Sequence, residues 1–511
     1  MKINEHTVGN GPAPSQGADG VKFDFSFNND IDEVVRRAQM EQQQQRVAEV
    51  AALAAPAAAA PEPVRELPWP PGMVGQLAQA VYNCAPRPVR EIAITTALGI
   101  AAGICGREWT IPGSGLNLYI ILLARSATGK EIITIGCSLA HRAVSEGNIV
   151  SQPFFDFGDC ASGQALRQLL NKSRCFVQVS SEWGDILRGM TNKNDAAKQS
   201  LKRQLKVLYH KSAPLTTVGG LAYADPTKNV EDIDGAVAFS LLGECTPGAF
   251  MASLTESMME DGTMSRLLVI EFEGDRPAAN PAPLPDLPKP CKDQLKALST
   301  HALTLRARNV TQGVSIAPDA FALDQAFDME CDREINSTKD ESWRQMWNRA
   351  HLKVRRIAGL LAVWDGYLNP VVTEAHMRWS LDLVRRDIAS FRKRREAGDI
   401  GESDDSRERK LMAIIVDYLT KGPPASYKIP PDMKAAGLVP RRYLQMRTSD
   451  VASFTQHKLG ATAALDLAIR SLVDSGYMKE ELKDKVASQF NFHGRCYRVL
   501  ALADYSTRRE K

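Results

Sequence analysis

The sequence is short of the features that would assign it to several large classes. No apolar run reaches the roughly eighteen residues a membrane-spanning helix needs. Residues 1–21 are polar and glycine-rich, without the apolar stretch of a secretory leader. No membrane association and a cytoplasmic location are therefore expected. The nine cysteines include no CxxC pair, which argues against a disulfide scaffold or zinc ribbon and fits a reducing compartment. Neither sign of charge dominates: 63 Lys and Arg against 60 Asp and Glu leave +3, so the chain is not polybasic, although a local basic face is not excluded. The eight histidines form no HExxH or other metal-spaced cluster, and no GxSxG elbow is present. Asp156, Asp159 and Asp185 are scattered as surface acids are, rather than grouped as a primase carboxylate set.

What is present is an ordinary globular composition, 44% hydrophobic and 24% charged, in 511 residues. That length is too great for one compact core, so two or three domains are expected. Residues 1–66 do not read as one of them. The tract RVAEVAALAAPAAAA and the following PEPVRELPWPP form a stiff linker, and residues 31–50 are charged and glutamine-rich enough for an isolated helix. Phe23, Phe25 and Phe27 alternate as in a short strand that would add to the sheet of a replication-protein partner. A disordered tail is the plainer reading and the one adopted.

Regular patterning begins near Pro68. Residues 73–106 read as one helix ending at Gly103 and Gly106, followed by strands at 108–111 and 118–124 and a helix over 131–145. Short apolar runs at 175–179, 236–242 and 267–272 have the pattern of buried parallel strands, and their alternation with helical stretches predicts an α/β core. Residues 275–290 are too rich in proline for regular structure, and 291–398 are largely helical. The expected organisation is a tail and linker (1–66), an α/β core (67–280), a helical region (281–398) and a terminal module (405–505).

The strongest chemical signal is a strand that runs into Arg125-Ser126-Ala127-Thr128-Gly129-Lys130 and then a helix. This is the context of a phosphate-binding loop, whose backbone amides face anionic oxygens while the lysine reaches the terminal phosphates. Against G-x-x-x-x-G-K-[ST], Ala124 replaces the first glycine and Glu131 the hydroxyl that contacts magnesium. A simple turn before a helix explains Gly129 equally well. If the loop needs φ > 0 at Ala124, its methyl group crowds it. The strand at 175–179 ends in Ser181-Glu182 where an ATPase strand ends in Asp-Glu. Glu182 then polarises the attacking water, and Glu131, Ser181 and Glu182 form the magnesium side. A surface carboxylate at a strand end is the alternative. Thr246 or Glu244 stands where a γ-phosphate sensor would, and Arg266 where a transition-state arginine would act, in cis or on a neighbouring subunit; a surface charge explains Arg266 as well.

The order of these pieces, from Pro68-Trp69-Pro70-Pro71 through Ala97-Leu98-Gly99-Ile100, Asn117-Leu118-Tyr119-Ile120, the phosphate loop, Leu241-Leu242-Gly243-Glu244-Cys245-Thr246-Pro247 and Asp261-Gly262-Thr263-Met264-Ser265-Arg266 to the segment 349–363, resembles the YfjI-like family of phages, prophages and plasmids. The resemblance covers residues 67–395 and lies in the colinear series, since no single motif is diagnostic. It implies a P-loop NTPase (RecA/AAA-like) core that uses ATP and Mg2+. It also implies a homo-oligomer, a ring, acting on DNA as a helicase or primase-helicase of phage or plasmid replication in a bacterial or infected cell. The family has Gly-Lys-Ser and an acidic pair, whereas this chain has Gly-Lys-Glu and Ser-Glu. Either hydrolysis is slowed or lost, the reading preferred here because Ala124 is a third departure, or a carboxylate has moved from position 181 to 131 and Glu131 holds the metal. The resemblance also places a helical lid at 343–363, with Lys353 and Arg356 as nucleotide sensors; a solvated charged face is the alternative.

Beyond the lid, Phe391-Arg-Lys-Arg-Arg395 is a phosphate-contacting cluster or a basic helix end. The terminal module has a winged-helix pattern, with helices at 406–420, 440–446 and 461–475 and strands at 477–482 and 496–500. Arg441, Arg442, Arg447, Lys458, Arg470, Lys483, Lys485 and Arg495 are its candidate DNA contacts, unless the module docks a protein. The sequence thus predicts an ATP-dependent DNA helicase or, alternatively, a catalytically silent DNA-binding initiator or helicase loader. A replisome inhibitor is a third reading.

Overall fold

The computed structural model describes residues 66–147, 153–222, 225–254, 256–396, 404–455 and 457–502. The expected strand at Phe23–Phe27 and helix at 31–50 lie outside them.

The long helix expected over 73–106 is two helices, α1 (Gly72–Cys84) and α2 (Arg90–Cys105). Pro86 and Pro88 separate them, because proline lacks the N–H and disfavours helical backbone in the residue before it. Helix α2 is buried from Ile92 to Cys105 and lies on the sheet. Gly103 does not end it: a Cβ there would meet Val177 Cγ1 at 2.7 Å, and one at Gly99 would meet Leu242 Cδ2 at 2.5 Å. The two glycines, one turn apart, are what let helix and strands approach.

Five parallel strands follow: β1 (Tyr119–Ala124), β2 (Phe155–Asp156), β3 (Cys175–Ser180), β4 (Ala238–Cys245) and β5 (Leu267–Phe272). Their order is β2-β3-β4-β1-β5. Every residue of β1, β3 and β4 is buried, as continuous apolar strands covered on both faces must be. Helix α3 (Ile132–Gly147) leaves the end of β1, and α4 (Gly163–Lys172), α5 (Trp183–Thr191) and α6 (Ala196–Leu208) fill the connections between β2 and β4. The chain leaves β1 toward one side of the sheet and β4 toward the other. The carboxyl ends of β1 and β4 therefore flank a topological switch point, where open α/β sheets form their ligand crevice.

Five helices follow: α7 (Lys289–Ala307), α8 (Pro318–Asn336), α9 (Glu341–Asn348), α10 (Ala350–Asp365) and α11 (Glu374–Glu396). One continuous apolar core runs from Leu67 to Phe391, so this helical region and the sheet share an interior. The proline-rich stretch before α7 is non-regular, as expected, and is pinned to the α1–α2 turn by Asn280 N–H to Pro86 O (2.8 Å) and Leu284 N–H to Asn83 O (2.9 Å).

Residues 404–502 form a unit with its own core around Leu411, Ile415, Leu465 and Leu472. It contains α12 (Asp404–Lys421), β6 (Leu438–Pro440), α13 (Arg441–Arg447), α14 (Ala461–Asp474), β7 (Met478–Glu480), α15 (Lys483–Phe490) and β8 (Cys496–Val499). Its antiparallel sheet has the order β6-β8-β7. The two strands expected at its end do pair, but the segment between them holds a helix, and β6 has no counterpart among the expected strands.

Candidate functional site

The loop from Arg125 to Glu131 joins β1 to α3 at the switch point. Its backbone takes positive φ at Ala127 (65°) and Gly129 (90°), and Thr128 Oγ1 braces it by donating to Arg125 O at 2.7 Å. No turn or loop hydrogen bond among the described residues uses the N–H groups of Ser126 through Glu131. Unspent amides at the start of a 16-residue helix are what an anion cradle requires. Gly129 is needed for space as well as φ, since a Cβ there would sit 2.3 Å from Arg87 O. Ala124 corrects an expectation: it is the last residue of β1, fully buried and outside the positive-φ set, so its methyl group neither crowds the loop nor faces a ligand.

Opposite the loop, β4 brings Glu244 beside Leu122 of β1, while Gly243 pairs with Ser180 of β3. Gly243 has no side chain because Trp183 packs there, 2.8 Å from where a Cβ would be. That contact seats the start of α5, and with it Glu182, against the end of β4. Lys130 Nζ lies 3.6 Å from Glu244 Oε2, too long for a hydrogen bond but close enough for an ion pair. Glu244 is 8% exposed, and its Oε2 has no hydrogen-bond donor. Burial raises its pKa above the ordinary carboxylate value; Lys130 opposes the shift, and the Glu182 and Glu131 carboxylates add to it. One lysine among three carboxylates is a poor home for a bare triphosphate and a reasonable one for a triphosphate that arrives with a cation.

The structure therefore brings Lys130, Glu131, Glu182 and Glu244 within electrostatic reach of one another. Glu131, Ser181 and Glu182 are exposed beside the loop. Among the described residues no three His, Cys, Asp or Glu side chains converge to cage a metal. This donor set suits Mg2+, which usually takes one or two carboxylates together with phosphate oxygens and water. The orphaned Glu244 oxygen is a further acceptor at the same place. Ser180 is a residue the sequence does not signal; its hydroxyl is buried without a partner at the end of β3, and no motif marks it.

Several expected members lie elsewhere. Thr246 caps the short helix Pro247–Ala252, accepting from Ala249 N–H at 3.4 Å, so Glu244 is the residue that faces Lys130. Arg266 immediately precedes β5, whose Leu267 pairs with Tyr119 at the start of β1. It is thus at the amino edge of the sheet, about 16 Å from the loop at roughly 3.3 Å per strand residue, and cannot serve the loop of its own chain. Lys353 and Arg356 are at that edge too, and both are interior. Lys353, 1% exposed, donates through Nζ to Leu267 O (2.9 Å) and Asp387 Oδ2 (2.7 Å). Arg356, 0% exposed, donates to Ser114 Oγ (3.0 Å), Asn117 O (2.9 Å) and Tyr209 O (2.7 Å). Neither a nucleotide sensor nor a solvated face describes them; they fasten α10 to the sheet. The helix expected at 343–363 breaks at Arg349, between α9 and α10. The basic run after Phe391 is also engaged: Arg394 pairs with Glu271, Arg395 with Asp340 and Lys393 with Glu273.

In the terminal unit Arg441 is held by Asp466, Arg447 by Asp417, Lys485 by Glu481 and Arg495 by Glu480. Arg442, Lys458, Arg470 and Lys483 are exposed, and no ion pair is found for them among the described residues. No described helix is long and apolar enough to cross a membrane. No protein-family model matches the chain, and no curated protein matches it.

Proposed function

We propose that the chain is a nucleotide-dependent DNA-replication protein of a phage or plasmid, an ATPase of slow turnover that works as a ring-forming helicase or primase-helicase. The observation that carries this reading is Lys130. It sits at the switch point, beside six loop amides free of turn or loop bonds and opposite a buried carboxylate with an unsatisfied oxygen. The amides of Ser126 to Glu131 hold phosphate oxygens, and Lys130 leaves Glu244 for the terminal phosphate. Glu182 orients the attacking water, and Glu244 reports the presence of the γ-phosphate through the ion pair it loses. Mg2+, held by Glu131 and Glu182, would neutralise charge between phosphates and acids. Arg266, at the opposite edge, serves only a neighbouring subunit. Residues 404–502 act as a winged-helix module that contacts DNA through Arg442, Lys458, Arg470 and Lys483.

A second reading is a silent NTPase-fold protein that binds DNA or loads another factor. It is favoured by Ser181, exposed where an acid would steady the metal. Binding of a fluorescent ATP analogue with and without Mg2+, and hydrolysis with and without single-stranded DNA, separate the two against a Lys130→Ala control. Metal-dependent binding that disappears in the variant is expected. Binding with hydrolysis no faster than the control selects the silent protein, and binding indifferent to Lys130→Ala removes both readings.

A further inference from the structure

The amino edge of the sheet carries a set of cations, of which the nucleotide reading uses only Arg266, and that toward a neighbouring subunit. The chain leaving α6 provides Tyr209, His210 and Lys211, the turn before β5 provides Arg266, and the α9–α10 junction provides Arg349. The buried Tyr209 ring contacts Arg266, His210 and the adjacent Arg356, and Arg349 lies near enough to act electrostatically on all three. The Tyr209 centroid is 4.2 Å from the Arg356 guanidinium carbon, 5.9 Å from that of Arg266 and 5.2 Å from the His210 ring. Arg356 is spent on three oxygen acceptors, but the others are not. Arg266 donates to Gly262 O, yet its Nε is buried without an acceptor. Arg349 Nε and His210 Nε2 are likewise buried and unpartnered, and no ion pair involving Arg349 is found among the described residues. Asp261, the neighbouring acid, is already shared by Lys202 (3.1 Å) and Lys206 (3.3 Å).

A buried donor without an acceptor is costly, and the neighbouring guanidinium groups repel one another. A single tetrahedral oxyanion offers acceptors for both guanidinium groups and for the imidazole when its Nε2 carries the proton, it neutralises the charge, and arginine forks match its geometry. We propose that Arg266, Arg349 and His210 form a phosphate site at the amino edge, separate from the Lys130 loop. Each of the three residues is partly exposed, so the cluster borders solvent although the unpartnered nitrogens themselves are buried. Burial, then Arg349, Arg266, Arg356 and Lys211, hold the imidazole down to about 4, so His210 is neutral until an anion binds. The chemistry is a phosphate oxyanion, either free or carried on a nucleic-acid strand. This inference uses none of the loop residues and rests on the contacts around Tyr209, so it stands whether or not Arg266 also serves a neighbouring subunit.

The test uses the full chain, with thermal unfolding followed in inorganic phosphate, in chloride of equal ionic strength, and with a short single-stranded oligonucleotide. Saturable stabilisation by phosphate, retained in Lys130→Ala and weakened at least tenfold in Arg349→Gln, is expected for a free phosphate. The same pattern with the oligonucleotide alone assigns a strand-borne one. In chloride, Arg349→Gln should unfold at a higher temperature than the wild type, since it removes a repulsion, so loss of the phosphate response cannot be put down to misfolding. The His210 ring followed by NMR should titrate at higher pH once phosphate is bound. Stabilisation no greater than chloride gives with either ligand, or a response unchanged in Arg349→Gln, overturns the proposal.

Discussion

Burial and hydrogen-bond partners separate the basic residues of this chain in a way that charge alone does not. Arg356 and Lys353 are interior and satisfied. Arg356 has no carboxylate partner among the described residues, so its removal strands buried acceptors, Ser114 Oγ, Asn117 O and Tyr209 O, a loss of about 1–3 kcal/mol. Arg356→Met is therefore expected to lower the stability measured in urea by that amount, with or without nucleotide. A nucleotide sensor would instead leave stability intact and weaken ATP binding. Gly129→Ala should cost about 1–3 kcal/mol in the same assay, from positive φ and the clash with Arg87 O. Glu244→Gln removes the ion pair that holds Lys130, and we expect analogue affinity to rise by roughly threefold to tenfold, about 1 kcal/mol. An affinity that falls would mean Glu244 binds the ligand instead of competing with it. His210 gives a prediction in pH: its folded pKa of about 4 lies below the ordinary 6.5. Between those values the unfolded chain binds more protons, so stability falls as pH drops through that window, by at most about 3 kcal/mol before solvent screening. His210→Asn should flatten the difference in urea midpoint between pH 7 and pH 4.5.

At the scale of elements, periodicity placed most strands and helices but not their breaks. The strands at 175–180 and 267–272 stand where their apolar runs put them. The α1–α2 break follows from Pro86 and Pro88, which were legible as residues but were masked by helical patterning on both sides. Helix α10 misled for a different reason. Arg349, Lys353 and Arg356 recur at helical spacing like a solvated stripe, yet α10 is packed between β5, α11 and the segment before β1, where backbone oxygens wait for donors. A buried helix carries cations where oxygens of its neighbours accept from them, and one sequence cannot distinguish that from exposure. In the terminal unit the exposed face of α14 carries Leu467 and Asp474 with Arg470, a mixed surface rather than a basic stripe. DNA affinity of the full chain, if it resides here, should therefore be modest. Replacing Arg442, Lys458, Arg470 and Lys483 with Ala together should make log affinity fall less steeply with log salt, by about one in slope for each phosphate these side chains neutralise. An unchanged slope would assign the unit to protein docking.

For the whole molecule, two edges of one sheet divide the chemistry. The carboxyl edge gathers Lys130 with three carboxylates, and the amino edge gathers arginines without acids to match. About 16 Å of buried strand lies between them. The helices from 289 to 396 share a single core with the sheet and do not stand apart as a lid with an interior of its own.

The sequence by itself determined the α/β core, the strand–loop–helix around Gly129 and Lys130, and the separate terminal module, because these are local properties of apolar spacing, glycine and proline. Only the tertiary structure decided that Glu244 rather than Thr246 faces Lys130, that Lys353 and Arg356 are interior, and that Arg266 and His210 meet at Tyr209 with Arg349 nearby. Those contacts join residues tens to hundreds of positions apart. Strand order and helix packing set them, and no local pattern encodes either one.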